Sequence, residues 1–295
     1  MHVAVVGAGS LGSLVGGLLA DVADVTLVGR EPHVGAVRES GLSITGEFER
    51  TVHPEAQPLP PASADLAVVA VKSYDTPTVA QQLADCDLGG VLSLQNGLGN
   101  EETLADHLDC PVLAGTCTYG ARLHQPGVVE CTGLGEVVLG AREGGDSALA
   151  TRVGALFEDA GFDCDVATDM PRRLWAKLAV NAGINPTTAL ARVPNGALVD
   201  GPAGETAREA AREVARVASA NGVDLDPEAA ADEMVQVADA TARNASSMRQ
   251  DVEAGRRTEI DAINGAVVER SDGDVPTNAT LARLIRAWER DRGLR

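Results

Sequence analysis

Along the first half of the chain, short runs of β-branched and aliphatic residues alternate with stretches of helical periodicity. Strands are predicted at residues 2–6, 25–28, 66–71, 91–94 and 112–115. That alternation is the pattern of a parallel sheet covered by helices. Two more runs, 128–131 and 136–139, flank Thr-Gly-Leu-Gly, and the spacing predicts a hairpin added to the same sheet. After about Asp169 the strand pattern ends. Helical stretches rich in Ala, Glu and Arg follow at 172–184, 205–221, 227–243, 258–270 and 277–290, with Asn221-Gly222 as a stop signal and Asp226-Pro227 as a start. The expected organisation is an α/β domain over residues 1–168 and an all-α domain over 169–295, each long enough to bury its own core.

Gly7-x-Gly9-x-x-Gly12 directly follows the first strand and opens a helix, the context that gives this spacing physical meaning. Gly7 permits a tight turn, Gly9 lets backbone approach a pyrophosphate, and Gly12 lets helix and strand pack closely. The helix N-terminus then faces phosphate charge. The first domain therefore reads as a Rossmann-type dinucleotide-binding domain, the alternative being a glycine turn with no ligand. The second strand runs into Gly29-Arg30, where a protein selecting NAD places Asp or Glu on the ribose hydroxyls. Arg30 suits the 2′-phosphate of NADP instead. Glu31 follows at once, and a surface arginine paired with an acidic neighbour is the competing account.

Charge narrows the partners. The formal net charge is -19, from 43 Asp plus Glu against 24 Lys plus Arg, which disfavours nucleic acid and anionic membrane surfaces. Only two of those basic residues are lysines, and with abundant Ala and Gly the composition is similar to that of proteins from salt-loving archaea. At molar salt the Debye length is about 3 Å, so self-repulsion is largely screened. The five cysteines, an odd number with no Cys-x-x-Cys pair and no histidine at metal spacing, read as free thiols of a reducing cytoplasm, with no metal site. Residues 3–20 carry no charge, but no basic residue precedes them and five glycines interrupt them. They are not read as a signal or membrane anchor.

The chemistry is reached by elimination. All five histidines lie in the first domain, at 2, 33, 53, 107 and 124, so a histidine acid would have to come from there. Neither Tyr74 nor Tyr119 begins a Tyr-x-x-x-Lys sequence, and there is no His-Glu-x-x-His, Walker loop or Gly-x-Ser-x-Gly elbow. Carbonyl reduction needs a proton donor as hydride arrives. Lysine can serve because its pKa falls readily on burial, whereas arginine effectively never deprotonates. In a chain that uses arginine for nearly every positive charge, Lys72 and Lys177 stand out, the plainer alternative being two residual surface lysines. Lys177, Asn181 and Asn185 are spaced by four and form one polar stripe on a helix. A cation flanked by two carboxamides can hold a carboxylate, a ketone and a hydroxyl without a metal. A solvated helix face is the other reading, though such faces in this chain are built from Glu, Asp and Arg.

Four blocks carry a resemblance that covers nearly the whole chain. They are Gly7-Ala8-Gly9-Ser10-Leu11-Gly12; Val71-Lys72 with Gln95-Asn96-Gly97; Trp175 to Pro186 followed by Pro194-Asn195-Gly196; and Ser246-Ser247-Met248-Arg249-Gln250-Asp251 with Thr258-Glu259-Ile260-Asp261-Ala262-Ile263-Asn264-Gly265. The first is common to many Rossmann proteins. In this order and spacing the last two resemble the ketopantoate reductase family. The resemblance implies NADPH-dependent reduction of 2-dehydropantoate to (R)-pantoate in coenzyme A biosynthesis, with NADPH/NADP+ as cofactor and a small 2-oxo acid as partner.

The same resemblance implies Lys177 as proton donor and Asn96, Asn181, Asn185, Asn195 and Ser247 as substrate-binding residues. It implies cofactor contacts at Gly7, Ala8, Gly9, Ser10, Leu11, Gly12, Lys72, Asn96 and Ala121, to which the end of the second strand adds Arg30, with Glu259 closing over bound cofactor and substrate. Taken alone, Gln95-Asn96-Gly97 is also a strand-ending turn and Glu259 a helix N-terminal charge. The resemblance is weakest over 41–61 and around Gly144, away from these residues. A related reductase for another branched 2-oxo acid and a noncatalytic NADP(H)-sensing protein remain as rivals. A homodimer is compatible with the sequence without being required by it.

Overall fold

A strand buried on both faces must have its backbone paired along both edges, since water cannot reach it. In the computed structural model, which describes residues 1–295, His2–Val6 lies parallel between Asp24–Val28 and Leu66–Val69, with Val3 opposite Val25 on one side and Leu66 on the other. The eight-stranded sheet runs in the order Cys164–Val166, Val137–Ala141, Val112–Cys117, Val91–Ser93, Leu66–Val69, His2–Val6, Asp24–Val28, Glu55–Gln57. Its one antiparallel junction joins Val112–Cys117 to Val137–Ala141. Alternate residues divide between two cores. Val3, Val5, Leu66 and Val68 pack with helices Ser10–Leu19 and Ala148–Asp159, while Val6, Ala67 and Val69 pack with helices Thr76–Leu83 and Asn100–Ala105. The period of two along each strand thus covers both faces with helices.

The predicted hairpin is not formed. Its first half, Val128–Gly133, instead pairs antiparallel with Gly120–Gln125 and parallel with Leu42–Gly46 in a separate four-stranded sheet that ends at Arg50–Val52. Its second half, Val137–Ala141, belongs to the main sheet. The tight turn lies one strand earlier, at Pro126-Gly127, where Gly127 takes φ +79°. The Gly127 N–H donates to His33 Nδ1 at 3.0 Å, so the ring proton sits on Nε2 and donates to Ser13 Oγ at 2.9 Å. Burial lowers the His33 pKa, which keeps this neutral bridge between the turn and helix Ser10–Leu19.

The chain divides into two units, Met1–Gln95 with Asn100–Met170, and Asn96–Gly99 with Pro171–Arg295. The second is helical, with a core built from helices Met170–Ala191, Gly201–Ala220, Pro227–Ala240 and Pro276–Asp291. Here the helix predicted at 172–184 runs on through Pro186 to Ala191. Proline has no N–H, so the buried carbonyl of Ala182 loses its helical donor. Left unpaired it would cost about 1–3 kcal/mol. Asn264 replaces the donor, with Nδ2 3.1 Å from the Ala182 oxygen.

The stretch predicted as one helix over 258–270 is also interrupted. Asp261–Gly265 forms a π-helical turn that leads into the short helix Ala266–Glu269. A further helix, Ser247–Glu253, had no counterpart in the periodicity, because it spans only seven residues.

Candidate active site

Three parallel strands end together, and the turns that follow them carry the expected cofactor residues. At the first, Gly7 takes φ +108°, and a Cβ there would lie 2.6 Å from the Val71 nitrogen. A Cβ on Gly12 would lie 2.1 Å from the Gly7 oxygen, so helix and turn meet backbone to backbone. Gly9 differs: its Cβ would come no nearer than 4.0 Å to the Gly7 oxygen and would point into open space. No side chain caps helix Ser10–Leu19, whose N-cap is Gly9. An exposed, glycine-lined helix start with free N–H groups fits a dinucleotide pyrophosphate.

Neighbouring elements converge on this turn. Ser10 Oγ accepts the Leu123 N–H at 3.0 Å, which ties strand Gly120–Gln125, with its half-buried Ala121, to the start of the helix. Lys72 follows the strand beside Gly7, and its carbonyl accepts the Asp75 N–H at 2.8 Å. Gln95 holds that segment, donating from Nε2 to the Val71 carbonyl at 3.0 Å and to Thr76 Oγ1 at 2.6 Å. Ala8 is buried and Leu11 is partly buried against the core.

Arg30 follows the second strand by two residues and is almost fully exposed, with a side chain 88% accessible. It pairs with Asp75 at 3.0 Å, as the competing account anticipated. An exposed pair of this kind contributes little and opens readily to a stronger anion. Glu31 is turned elsewhere: Oε2 accepts the Gly35 N–H at 3.0 Å in the first turn of helix His33–Ser40, and Oε1 accepts from Arg38 at 2.5 Å.

In the second unit, the continuous helix Met170–Ala191 places Lys177, Asn181 and Asn185 on one edge. Lys177 and Asn181 are half-buried and Asn185 is 5% exposed. Ser247 is exposed, next to Ser246. Ser246 Oγ caps the Arg249 N–H and bonds Thr188 Oγ1 at 2.7 Å, which fixes the start of helix Ser247–Glu253 to the turn after Asn185. Asn195 is buried and donates to Thr241 Oγ1 at 2.9 Å, while its Oδ1 has no partner.

Asn96 and Glu259, 163 residues apart, meet at the outer edge of hydrogen-bonding distance, Asn96 Nδ2 to Glu259 Oε2 at 3.5 Å. The neighbouring Leu98 N–H donates to the Ala262 carbonyl in the π-helical turn at 3.0 Å. Gly97, with φ +89°, is required there because a Cβ would lie 2.5 Å from that same carbonyl oxygen. On the other side of Glu259, the fully buried Glu289 accepts both the N–H and the hydroxyl of Thr258, at 2.8 and 2.7 Å. Arg295 lies 2.9 Å from the second Glu289 oxygen and also binds Asp261, which pairs with Arg286 at 2.8 Å. Both flanks of Glu259 are therefore pinned.

The model of the family described as ketopantoate reductase PanE/ApbA matches residues 3–144, and that of its C-terminal part matches 169–289. The chain belongs to the ketopantoate reductase family. It is 46% identical to the 2-dehydropantoate 2-reductase of Halobacterium salinarum, an alignment covering 99% of this chain and 100% of that one. Among solved structures it is similar to a PanE/ApbA family ketopantoate reductase from Ralstonia eutropha, with TM-score 0.89, 32% identity, and 99% of this chain and 100% of that one covered. It is also similar to D-mandelate dehydrogenase in a ternary structure with NADH and anilino(oxo)acetate, with TM-score 0.93, 25% identity and 100% of both chains covered.

Gln95 in the first unit and Asn264 and Glu289 in the second support candidate site residues; the first two stand in the blocks that carry the resemblance without a role, and Glu289 carries no signal of its own. Only the helix-interior Pro186 offered a signal, since it demands a donor from outside its helix. The glycine geometry makes a direct prediction. Gly9→Ala is expected to leave the melting temperature within about 2 °C and to weaken dinucleotide binding, because its Cβ enters open space on the ligand side. Gly12→Ala is expected to destabilise by roughly 1–3 kcal/mol through overpacking. Thermal melts paired with cofactor titration separate the two.

Proposed function

We propose that the chain reduces 2-dehydropantoate to (R)-pantoate at the expense of NADPH. The observation that carries this reading is the edge Lys177, Asn181, Asn185, held on a buried helix to the turn that brings Glu259 against Asn96. The names of the full-length relatives support the same substrate. When bound, a reduced nicotinamide would supply the hydride equivalent that the keto carbon needs. Lys177 gives the proton that the keto oxygen needs as that carbon is reduced, a role arginine cannot take. The carboxamides of Asn181 and Asn185 donate to substrate oxygens, assisted by Asn96, Asn195 and Ser247, and orient the ketone for transfer. Asn195 retains a buried oxygen that no protein group satisfies, which suits a ligand hydroxyl.

In the first unit, the peptide N–H groups at the Gly9 end of helix Ser10–Leu19 receive the pyrophosphate, with Lys72 after the strand beside Gly7 and the backbone at Ala121 on the strand that Leu123 ties to Ser10. Preference for NADPH rests on Arg30 and Glu31 together. Arg30 can exchange half-buried Asp75 for a doubly charged phosphate, and Glu31, committed to Gly35 and Arg38, does not reach for the ribose as an NAD-selecting acid does. Adaptation to high salt and a cytoplasmic setting complete the reading. They are supported by the net charge of -19, the near-exclusive use of arginine and the Halobacterium relative. No helix is long and apolar enough to cross a membrane.

A second reading, a reductase for a different 2-oxo acid, is favoured by the fold shared with D-mandelate dehydrogenase, whose structure holds anilino(oxo)acetate. Initial rates of NADPH oxidation in molar KCl decide between them. The first reading expects 2-dehydropantoate to exceed 2-oxoisovalerate in kcat/KM, and the second expects the reverse. Lys177→Ala is expected to lower turnover by about 10²- to 10⁴-fold, and wild-type turnover in that variant would remove Lys177 from the mechanism. Arg30→Ala is expected to raise the Kd of NADPH roughly tenfold or more, the value of a charge-assisted hydrogen bond, with the Kd of NADH little changed. Equal losses for both nucleotides would contradict the 2′-phosphate assignment.

A further inference from the structure

Asn264 meets neither substrate nor cofactor in the proposed reaction, yet it is fully buried and its Nδ2 donates to two chosen acceptors. One is the Ala182 carbonyl at 3.1 Å, the group that Pro186 leaves without a helical donor. The other is Asn278 Oδ1 at 2.9 Å. We propose that Asn264 is a positioning residue for the reduction: its bond to the Ala182 carbonyl holds the Glu259 turn in register with the Lys177, Asn181, Asn185 edge.

The location of the bond carries the argument. Ala182 directly follows Asn181 and lies three residues before Asn185, so the anchor sits in the middle of the polar edge. Asn264 lies within the π-helical turn Asp261–Gly265, where Ile263 N–H donates to the Glu259 carbonyl at 3.1 Å and Gly265 N–H to the Ile260 carbonyl at 2.9 Å. Glu259 is thus one hydrogen-bonded turn away from the anchor. A π-helical turn places an extra residue in the helix, which changes where the preceding side chains point.

The carboxamide is itself held in orientation. Asn278 Nδ2 donates to the Ala210 carbonyl at 3.0 Å and to Glu213 Oε2 at 2.7 Å, and the Glu213 carboxylate accepts the N–H groups of Thr277 and Asn278, each at 2.9 Å. Glu213 therefore sits at the N-terminus of helix Pro276–Asp291, where the helix dipole favours its charge. Helices Met170–Ala191, Gly201–Ala220 and Pro276–Asp291 converge through one amide on the turn that bears Glu259. A residue that merely filled this space could be aliphatic, and the core around it is otherwise built that way.

The inference rests on the reading of Lys177 and Glu259 as parts of one site, and a double-mutant cycle on turnover tests the two separately. Asn264→Leu is expected to lower kcat/KM for 2-dehydropantoate by about 10- to 100-fold, the scale of a small misplacement of reacting groups. Because Asn264 acts through Glu259, Asn264→Leu combined with Glu259→Gln is expected to be within about twofold of the slower single variant. Wild-type kcat/KM in Asn264→Leu, or losses that multiply in the combination, would overturn the positioning role while leaving the proposed reaction in place. If Glu259→Gln keeps wild-type turnover, the reading of Glu259 fails and the inference falls with it. Should Asn264→Leu fail to fold, the same cycle is run in a Pro186→Ala background, where residue 186 regains its N–H and the Ala182 carbonyl its helical donor.

Discussion

Because Pro186 cannot donate a hydrogen bond, the helix that carries Lys177, Asn181 and Asn185 has a buried carbonyl that some other part of the chain must satisfy. That requirement organises the second unit. It selects Asn264, 82 residues away, and through Asn264 it enlists Asn278 and Glu213, so a polar network runs through an otherwise aliphatic core. A half-satisfied network of this kind would be worse than none. Here the Nδ2 groups of Asn264 and Asn278 each have two acceptors, while Asn264 Oδ1 is left without a partner, and the π-helical turn that follows Glu259 is held against the polar edge.

The first unit obeys a similar constraint with a different solution. Backbone must approach backbone where Gly12 meets the Gly7 carbonyl and where Gly7 meets Val71, and only a residue without a Cβ allows it. At Gly9 the missing side chain leaves room on the outside. Arg30 and Glu31 then show how two adjacent charges can be sorted by their partners: one is held by a single half-buried aspartate, the other by a helix start and Arg38. In both units, the polar groups beside the candidate site residues are committed to named partners.

Much of the fold was legible because it follows from periodicity. The parallel strands around His2–Val6 and the helical second half are visible as alternation and as helical spacing, and local signals such as Asn221-Gly222 mark their ends. The errors have physical causes. The runs 128–131 and 136–139 suggest a hairpin because they are close in sequence, but the strands that contain them, Val128–Gly133 and Val137–Ala141, join different sheets. Edge strands such as Arg50–Val52 and Glu55–Gln57 span only three residues and are partly polar, so no alternation marks them. Helical spacing predicts an end before Pro186 because sequence alone does not reveal that Asn264 serves the Ala182 carbonyl from 82 residues away. The candidate site divides in the same manner. The glycine turn and the four-residue spacing of Lys177, Asn181 and Asn185 are local and readable, whereas the approach of Asn96 to Glu259 and the clamp of Glu289 on Thr258 depend on tertiary packing and leave no pattern in the chain.

The account turns on one atom pair, the ammonium nitrogen of Lys177 and the oxygen attached to the reducible carbon. A crystal structure of the complex with NADP+ and (R)-pantoate measures it directly. The account predicts Lys177 Nζ within about 2.6–3.2 Å of the product's 2-hydroxyl oxygen, with Asn181 and Asn185 on the remaining oxygens. A 2-hydroxyl hydrogen-bonded to another side chain, with Lys177 directed away from it, would contradict the account.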